Sequence, residues 1–452
     1  MNSPRGPVLK RLFSSQLRIN MVSGVAVTVV NAAVLAVAYP LYLHFLGYEQ
    51  YGIWLVLSTV LSFAQLGNLG IGPAVTKLVA EEYGRKNLEA VQQYITSAVA
   101  ILVVSGAGVV ALILLLRTPI VSLFKLSPQN AHTVLWLLPY MACLSAYVFV
   151  VQAVNAALAG LGRMDLSNYV QTGGRIIAVV VAAVLLFLGR GITSLLIGST
   201  LSYVFVHATS SILVRRIAPI HALRPRNLDL ERAKRLIGFG SGIMGGSLVA
   251  MLISPFNKVM LSRYAGVASI PIYEIAFQAS MEIRGLVEAG LRALVPEVSR
   301  IGAAVDERTE ARIAGLYGRV VRLLVMAAVP AFGLVMLLAS GLFPLWLGER
   351  YVPSLPGVFR IMCIGAFINL LGVPAFYTLM GMGRSWCVFT AHLVQGATNV
   401  IILFGALAMG GSITVGTVAW SVVISMGAAT AYLLWEKNRV FSPNVNTSPV
   451  PG

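Results

Sequence analysis

Charged side chains are scarce in this chain. Only 11% of its 452 residues are Asp, Glu, Lys or Arg, and 58% are hydrophobic, whereas an ordinary soluble chain carries about 25% charged residues. A water-exposed domain of this composition would have too little polar surface to cover its apolar interior. The scarcity of charge therefore excludes an ordinary soluble protein and predicts that lipid is the solvent for most of the chain.

The residue types that usually carry catalysis and metal binding are also few. The chain has three cysteines and five histidines, and neither set shows the spacing of metal ligands. Its three aspartates, Asp165, Asp229 and Asp306, are isolated from one another. A membrane glycosyltransferase or polymerase needs a base or metal-binding acids near a membrane face. We therefore expect no catalytic residue, no metal, no cofactor and no enzymatic role.

Acidic residues are fewer than basic ones, with 16 Asp and Glu against 33 Lys and Arg. A continuous basic patch would indicate a nucleic-acid partner, but these basic residues lie in short loops between apolar runs, so we expect none. With the N-terminus inside, 22 of the 33 fall on the inner side of the membrane and five on the outer side. The positive-inside rule then predicts two cytoplasmic termini in a bacterial inner membrane.

Long apolar runs are what the sequence does contain. A membrane-spanning helix needs about 20 mostly apolar residues. Twelve runs meet this requirement, which predicts an all-α polytopic membrane protein with about 12 transmembrane helices. The runs are 19–45, 51–82, 91–116, 131–158, 168–188, 192–214, 236–261, 268–296, 315–345, 354–380, 386–409 and 412–435.

The chain divides into two halves. Its most basic loop falls midway and separates six predicted spans from six, and at an offset of 219 residues Leu46-Gly47 aligns with Ala265-Gly266. Two parallel six-helix lobes around a central cavity, opened alternately to each side, would produce such a repeat. The predicted domains are a basic amphipathic N-terminal segment (1–18), an N-terminal lobe (19–214), a cytoplasmic basic linker (215–235), a C-terminal lobe (236–436) and a cytoplasmic tail (437–452).

Charged side chains inside a membrane are costly, on the order of a few kcal/mol each, so each one marks a candidate site. Three acids, Glu274, Glu282 and Glu288, lie in the eighth predicted span. Six bases against these acids leave the spans net positive, which favours an anionic substrate. A purely structural scaffold would not require the charged eighth span. Glu81, Glu82, Arg319 and Arg322 lie near cytoplasmic span ends and are counted with the inner side. The remaining bases inside predicted spans are Lys77, Arg175, Lys258, Arg284, Arg292 and Arg360.

Guanidinium groups match phosphate oxygens in a bidentate geometry. We therefore predict that Arg284 and Arg292 bind a substrate phosphate, followed in rank by Lys258 and Arg175. The structural alternative is that Arg284, Glu288 and Arg292, which are spaced by four residues, neutralise one another along one helix face.

Acids in the same span are candidates for binding a coupling proton or cation. Glu288 is the first choice, followed by Glu282 and Glu274. Lys77 and Arg360 lie close enough to span ends for their charged groups to reach water, so we predict no substrate contact for them.

Glycine and proline are dense in one part of the second predicted span. Gly67, Gly70, Gly72 and Pro73 fall within seven residues of one another. Such residues can interrupt a membrane helix or allow close helix packing, and both interpretations stay open. We predict a hinge at this cluster.

Several stretches together resemble one known family. They are PLYL at 40–43, FLGYEQYGIW at 45–54, LGNLGIG at 66–72, VAEEYGR at 79–85 and ALVPEVSR at 293–300. The resemblance is to polysaccharide-biosynthesis flippases, the Wzx-type members of the multidrug/oligosaccharidyl-lipid/polysaccharide (MOP) exporter superfamily.

The resemblance implies a V-shaped pair of six-helix lobes like those of MATE transporters. It also implies transfer of a polyprenyl-diphosphate-linked oligosaccharide from the cytoplasmic to the outer leaflet. The implied partners are this lipid-linked glycan, membrane lipids and polysaccharide-assembly proteins. The family has no sharp catalytic signature, so the resemblance assigns no role to Arg284 or Arg292.

An ion-coupled antiporter of drugs or cations, from the related multidrug branch, is the alternative function. Lipophilic cations favour an acidic cavity. The resemblance to the multidrug branch would imply ion coupling that depends on acidic residues in the first lobe. Here the first predicted span has Asn31 but no Asp or Glu, and the charges within the spans sum to a positive value. Both features favour the flippase.

Overall fold

The computed structural model describes residues 15–218, 227–288, 309–382 and 384–440. Arg292, most of the predicted segments 1–18 and 437–452, and residues 219–226 of the predicted linker lie outside these ranges. Every regular element within them is helical, because lipid offers no partners for backbone polar groups and a helix satisfies them internally. The helices are α1 (Ser15–Ala64), α2 (Ile71–Gly84), α3 (Leu88–Leu115), α4 (Arg117–Ser122), α5 (Pro128–Gly160), α6 (Met164–Phe187), α7 (Thr193–Ile217), α8 (Leu230–Ala265), α9 (Ser269–Glu288), α10 (Thr309–Leu347), α11 (Leu355–Gly381), α12 (Ser385–Ala408) and α13 (Val415–Val440).

Nine helical stretches among the described residues are long and apolar enough to cross a membrane. The stretch Ala26–Asn68 counts once, although Gly47 (φ 65°, ψ −179°) separates two helices within α1. Helix α9 is not counted, because Glu274, Glu282 and Arg284 exceed the two charges allowed in any 18-residue window. The chain is an all-α polytopic membrane protein, as its apolar runs predict.

Two compact units make up the chain. Unit 1 comprises residues 1–245 and 266–268, and unit 2 comprises residues 246–265 and 269–452. This division falls within α8, whereas the sequence analysis places the linker between lobes at 215–235. The boundaries of the two six-helix lobes therefore stay a prediction.

In unit 1, helices α2, α3 and α5 enclose the main apolar core. Val75, Tyr94 and Phe149 are among its fully buried side chains. Helices α6 and α7 pack side by side because small residues let their backbones approach. A Cβ atom on Gly198 of α7 would lie 2.6 Å from the carbonyl oxygen of Ala178 in α6.

In unit 2, α11 packs against α9, α10 and α13, and α12 packs against α13. Small residues again set the separation of the helices. A Cβ atom on Gly372 would lie 3.0 Å from the hydroxyl oxygen of Thr430, and one on Gly365 would lie 3.0 Å from a methyl group of Val423. Both contacts bring α11 close to α13.

One pair in the predicted repeat shares a backbone conformation. Gly47 and Gly266, aligned at the offset of 219 residues, have φ angles of 65° and 85°. Residues with a Cβ disfavour positive φ, so glycine suits both positions. Each of the two glycines stands between two helices, which the offset predicts if the halves have the same design.

Candidate functional site

The predicted hinge coincides with an interruption between two helices. A 3-10 turn at Gln65–Asn68 follows α1, and α2 begins at Ile71. Between them Leu69 and Gly70 have φ angles of 53° and 67°. This left-handed region is unfavourable for a non-glycine residue by about 1–2 kcal/mol. The conformation of Leu69 therefore persists because its surroundings hold it in place.

Close packing occurs at the same cluster. Gly70 lies against the backbone of Gly240 in α8 without room for a Cβ, and a Cβ on Gly67 would lie 2.5 Å from a side chain of α3. Gly72 has no neighbour within 4 Å of its Cβ position among the described residues, and Pro73 lies in the first turn of α2. The cluster thus combines a break with tight packing. Movement at the break stays a proposal.

A polar cavity of about 510 Å³ lies among α2, α5, α6 and α7 of unit 1. Among its described lining residues Arg175 alone carries a formal charge, and amides and hydroxyls surround it. The polar lining residues are Thr76, Gln152, Asn155, Ser167, Gln171, Arg175, Ser199, Ser202 and Tyr203. Sequence analysis found Arg175 through its charge and missed the neutral residues. The spacing of Ser167, Gln171 and Arg175 by four residues would have revealed the polar face of α6.

Arg175 has no carboxylate partner among the residues that the structure describes. The nearest acid in sequence, Asp165 at the start of α6, binds Arg163 with nitrogen–oxygen distances of 3.1 and 3.0 Å. The guanidinium of Arg175 is accessible from the cavity, and a guanidinium can donate two parallel hydrogen bonds to one phosphate. The cavity of unit 1 therefore offers an uncompensated positive charge.

Two amide side chains of α5 line this cavity, and they differ in how many of their hydrogen-bonding groups are already used. Asn155 Nδ2 donates to Ser167 Oγ at 2.8 Å, and its Oδ1 accepts from Ser210 Oγ at 3.1 Å. Asn155 thus ties α5 to α6 and α7 and uses both ends of its amide. Gln152, one turn earlier, accepts from Asn68 Nδ2 at 2.7 Å through its Oε1. Among the residues that the structure describes, Gln152 Nε2 has no acceptor and remains available as a donor.

Lys258 and Glu274 form a buried ion pair between α8 and α9 in unit 2. Lys258 Nζ lies 2.9 Å from Glu274 Oε2, and both side chains are about nine-tenths buried. The other oxygen of Glu274 accepts from Gln278 Nε2 at 3.1 Å. A buried pair of this kind is maintained by mutual compensation, since removing one partner leaves an unpaired charge. The proposed phosphate contact of Lys258 and the ion coupling of Glu274 would both require this pair to open.

Arg284 and Glu288 form the ion pair that the structural alternative predicts. Arg284 Nη2 lies 2.9 Å from Glu288 Oε2, and Tyr377 donates its hydroxyl to Glu288 Oε1 at 2.8 Å. Arg284 Nε is buried and has no hydrogen-bond partner among the described residues. Arg284 is therefore neutralised but keeps one donor unused. Arg292, the third residue of the predicted series, lies outside the described residues.

Unit 2 also contains two smaller cavities whose linings are mostly apolar with a few polar side chains. One of about 170 Å³ is lined by Arg284, Glu288, His392 and Gln395, among others. A second, of about 130 Å³, shares His392 and Gln395 and reaches Tyr273. Each cavity has room for a few water molecules. Glu288 thus lines the larger of these two cavities, whereas Glu274 is paired with Lys258.

Arg360 and Lys77 have contacts that suit a structural role. Arg360 Nε donates to the carbonyl of Met336 at 2.9 Å, and Arg360 Nη2 donates to Ser340 Oγ at 2.6 Å. Lys77 lies 4.2 Å from the ring centre of Phe239. These contacts fix α11 to α10 and α2 to α8.

Sequence analysis missed a repeated G-x-G-R motif at an offset of 221 residues. It reads GLGR at 160–163 and GMGR at 381–384, and each copy connects two helices. Arg163 binds Asp165, and Arg384 Nη1 lies 3.9 Å from Glu436 Oε1. A search for repeated tetrapeptides would have found the motif, which supports the two-half design better than the offset of 219 alone.

Comparison with solved structures defines the fold. The chain superposes on an inward-facing multidrug resistance MATE family transporter of the MOP superfamily, with a TM-score of 0.69, 16% identity and 94% of each chain covered. It also superposes on a MOP superfamily transporter from Pyrococcus furiosus, with a TM-score of 0.64, 16% identity and coverage of 97% of this chain and 99% of that one. At such low identity the likeness establishes the fold, which is that of a MOP transporter.

Comparison of sequences identifies the family. The model for the polysaccharide biosynthesis protein family matches residues 43–356, which is more than half of the chain, so the chain belongs to that family. A relative from Shigella flexneri, named "Putative O-antigen transporter", is 20% identical over 399 residues, covering 88% of this chain and 92% of the relative. The family that the sequence stretches resemble is confirmed, and the family together with the fold supports a membrane transporter.

Proposed function

We propose that the protein flips a polyprenyl-diphosphate-linked oligosaccharide from the cytoplasmic to the outer leaflet by alternating access, for assembly of a cell-surface polysaccharide. Family membership and the name of the Shigella flexneri relative support this substrate class. The observation that carries the proposal is the uncompensated charge of Arg175 in the polar cavity of unit 1.

The chemistry of that cavity suits a phosphorylated sugar. An unpaired guanidinium within a membrane is unfavourable until an anion compensates it, and a phosphate does so through bidentate hydrogen bonds. The volume of about 510 Å³ falls within the range of sites that bind small ligands. Neutral amides and hydroxyls such as Gln171 and Tyr203 can bind sugar hydroxyl groups without adding charge.

Arg284, Arg292 and Lys258 are secondary candidates for the phosphate. Lys258 and Arg284 already compensate Glu274 and Glu288 at 2.9 Å, so a phosphate would have to compete with a carboxylate for either. This reverses the order in which sequence analysis ranked the basic residues, and it places Arg175 first.

Glu288 remains the proposed coupling residue. It lines a cavity with room for water and holds Arg284 and Tyr377, so protonation of Glu288 would release Arg284 in the same step. Glu282, half-buried on α9, and Glu274 follow it in rank. An imposed proton gradient should accelerate transfer by the wild type and leave Glu288→Gln unaffected.

The test is leaflet transfer in proteoliposomes. A polyprenyl-diphosphate oligosaccharide is followed by its accessibility to an external glycan-modifying enzyme. Loss of a charge-assisted hydrogen bond is worth about 1.5–3 kcal/mol, so Arg175→Gln should slow transfer by about tenfold or more. Arg190→Gln, in the loop after α6, is the matched control and should transfer like the wild type once thermal unfolding shows that both variants are folded.

Each alternative result has a distinct meaning. Transfer that survives Arg175→Gln would leave the flippase function in place and return Arg175 to a structural role. Absence of transfer with any lipid-linked glycan, together with efflux of cationic dyes, would instead establish the multidrug antiporter.

A further inference from the structure

The helix break and the cavity of unit 1 meet at one hydrogen bond. Asn68, the last residue of the 3-10 turn, donates its Nδ2 to Gln152 Oε1 at 2.7 Å. Gln152 lines the cavity together with Arg175. A side chain of the break and a side chain of the candidate phosphate site are therefore directly connected.

Three contacts hold the break in its conformation. Ser105 Oγ of α3 donates to the carbonyl of Gly67, the backbone of Gly70 lies against Gly240 of α8, and Asn68 binds Gln152. Among these three contacts, the bond to Gln152 alone includes a residue that lines the cavity. A ligand in the cavity can therefore affect the break through Gln152 and Asn68, without any change in α3 or α8.

The direction of the effect follows from the polarity of the amide. Gln152 accepts from Asn68 through its oxygen and has its Nε2 hydrogens left to donate. A phosphate that accepts from Nε2 would complete a chain running from Asn68 through Gln152 to the anion. Hydrogen bonds in such a chain polarise and strengthen one another. A bound anion therefore tightens the bond to Asn68.

The break is poised to respond to that bond. Leu69, next to Asn68, has φ 53° and ψ 21° without being glycine, a conformation that relaxes unless its neighbours hold it. Thr76, one turn into α2, also lines the cavity, and its hydroxyl hydrogen is shared between the carbonyls of Gly72 at 3.2 Å and Ala156 of α5 at 3.3 Å. The break, through Asn68, and α2, through Thr76, are thus both hydrogen-bonded to α5.

We propose that an anionic head group held by Arg175 and Gln152 orders the break at 65–70 through the hydrogen bond from Asn68. Asn68 is then a positioning residue for the phosphate site although it lies outside the cavity. The proposal rests on the proposed function, since it takes the ligand to carry a diphosphate. Because linkage is reciprocal, a contact through which the ligand orders the break also strengthens binding of the ligand. Removing that contact should weaken ligand binding by the same factor.

The first test uses inorganic diphosphate and the full-length protein in detergent. Hydrogen–deuterium exchange of peptides covering 65–72 should slow when the wild type binds diphosphate. In Gln152→Ala and Asn68→Ala this segment should exchange faster without ligand and should no longer respond to it. Gln171→Ala is the matched control, because Gln171 lines the same cavity on α6; it should weaken binding while exchange at the break still responds to saturating ligand.

The second test is a double-mutant cycle on the dissociation constant for diphosphate. Gln152→Ala should weaken binding by about tenfold and Asn68→Ala by a few fold, as expected for loss of one hydrogen bond. The double variant should bind no more weakly than Gln152→Ala, because Asn68 acts through Gln152. A merely structural role for Asn68 would make the two effects add.

The outcomes separate this link from the function on which it rests. Binding of diphosphate by the wild type with unchanged exchange at 65–72, or undiminished affinity in Asn68→Ala, would overturn the link alone. Failure of the wild type to bind diphosphate would overturn the phosphate site at Arg175 and the link together. The exchange measurement on the wild type needs no variant, so a variant that fails to fold still leaves a decisive result.

Discussion

At the scale of single residues, the pairing of charges decides which of them can bind a ligand. Lys258 and Glu274 are 16 residues apart in sequence and lie on different helices, so their contact depends on how α8 and α9 pack. Arg284 and Glu288 are one helical turn apart, and their spacing alone predicts a pair. Arg175 is left without a carboxylate among the described residues, although sequence analysis ranked it last among the phosphate contacts.

The Lys258–Glu274 pair gives a prediction about stability. Removing one partner of a buried pair destabilises by about 3–5 kcal/mol, whereas replacing both with apolar residues of similar size is nearly neutral. Lys258→Met and Glu274→Leu should therefore each lower the thermal unfolding midpoint in detergent, and the double variant should recover most of the loss. If Lys258→Met instead kept its midpoint and lost transport, Lys258 would be a substrate contact.

At the scale of elements, side-chain caps and glycines define where helices begin and end. Asp229 caps α8 by accepting the backbone N–H groups of Glu231 at 2.9 Å and Arg232 at 3.1 Å. The backbone N–H of Arg232, more than any other group, lowers the pKa of Asp229 from its ordinary value. The cap is therefore strongest when Asp229 is ionised.

This cap predicts a pH dependence. Because the folded pKa of Asp229 lies below its unfolded value of about 3.9, its stabilisation is complete above that value. It is lost as the pH falls through the folded pKa. Asp229→Ala should unfold at a lower temperature than the wild type at pH 7, and the difference should shrink on acidification towards about pH 3. Asp229→Asn, which accepts hydrogen bonds without titrating, is the control, and a wild-type–Ala difference independent of pH would contradict the assignment.

At the scale of the whole molecule, the two units differ in the charges that their helices carry. In the described part of unit 1 the acids lie at helix ends or in connecting segments, and Arg175 faces a polar cavity. In unit 2, α9 carries acids along its length, and its described bases and acids largely pair. This asymmetry is the reason for placing anion binding in unit 1 and ion coupling in unit 2.

Membrane topology is the prediction that belongs to this scale. Helix α7 should have Arg190 before its outer end and Arg216 at its cytoplasmic end, since the basic loops lie inside. With the three native cysteines replaced, Arg190→Cys should react with a membrane-impermeant maleimide in intact cells. Arg216→Cys should react only after the membrane is permeabilised. The reverse pattern would invert the topology and place the proposed direction of transfer in doubt.

The sequence predicts more of the fold than of the candidate site. Apolar runs locate the helices, because a hydrophobic segment in lipid must satisfy its own backbone. The glycine-rich cluster locates the break at 65–70, because left-handed φ angles favour glycine. The cavity residues Gln152 and Gln171 could not be identified by charge, since neutral amides occur in many membrane helices for packing alone.

The sequence by itself determined that this is a polytopic helical membrane protein of the polysaccharide biosynthesis family, with an excess of positive charge. These properties depend on composition, on period and on short motifs, all of which are local in the chain. Only the tertiary structure decided that Lys258 is neutralised, that Arg175 faces a polar cavity and that Asn68 binds Gln152. Each of these facts depends on which helices pack together, and contacts between residues as far apart as 84 positions leave no mark in a single sequence.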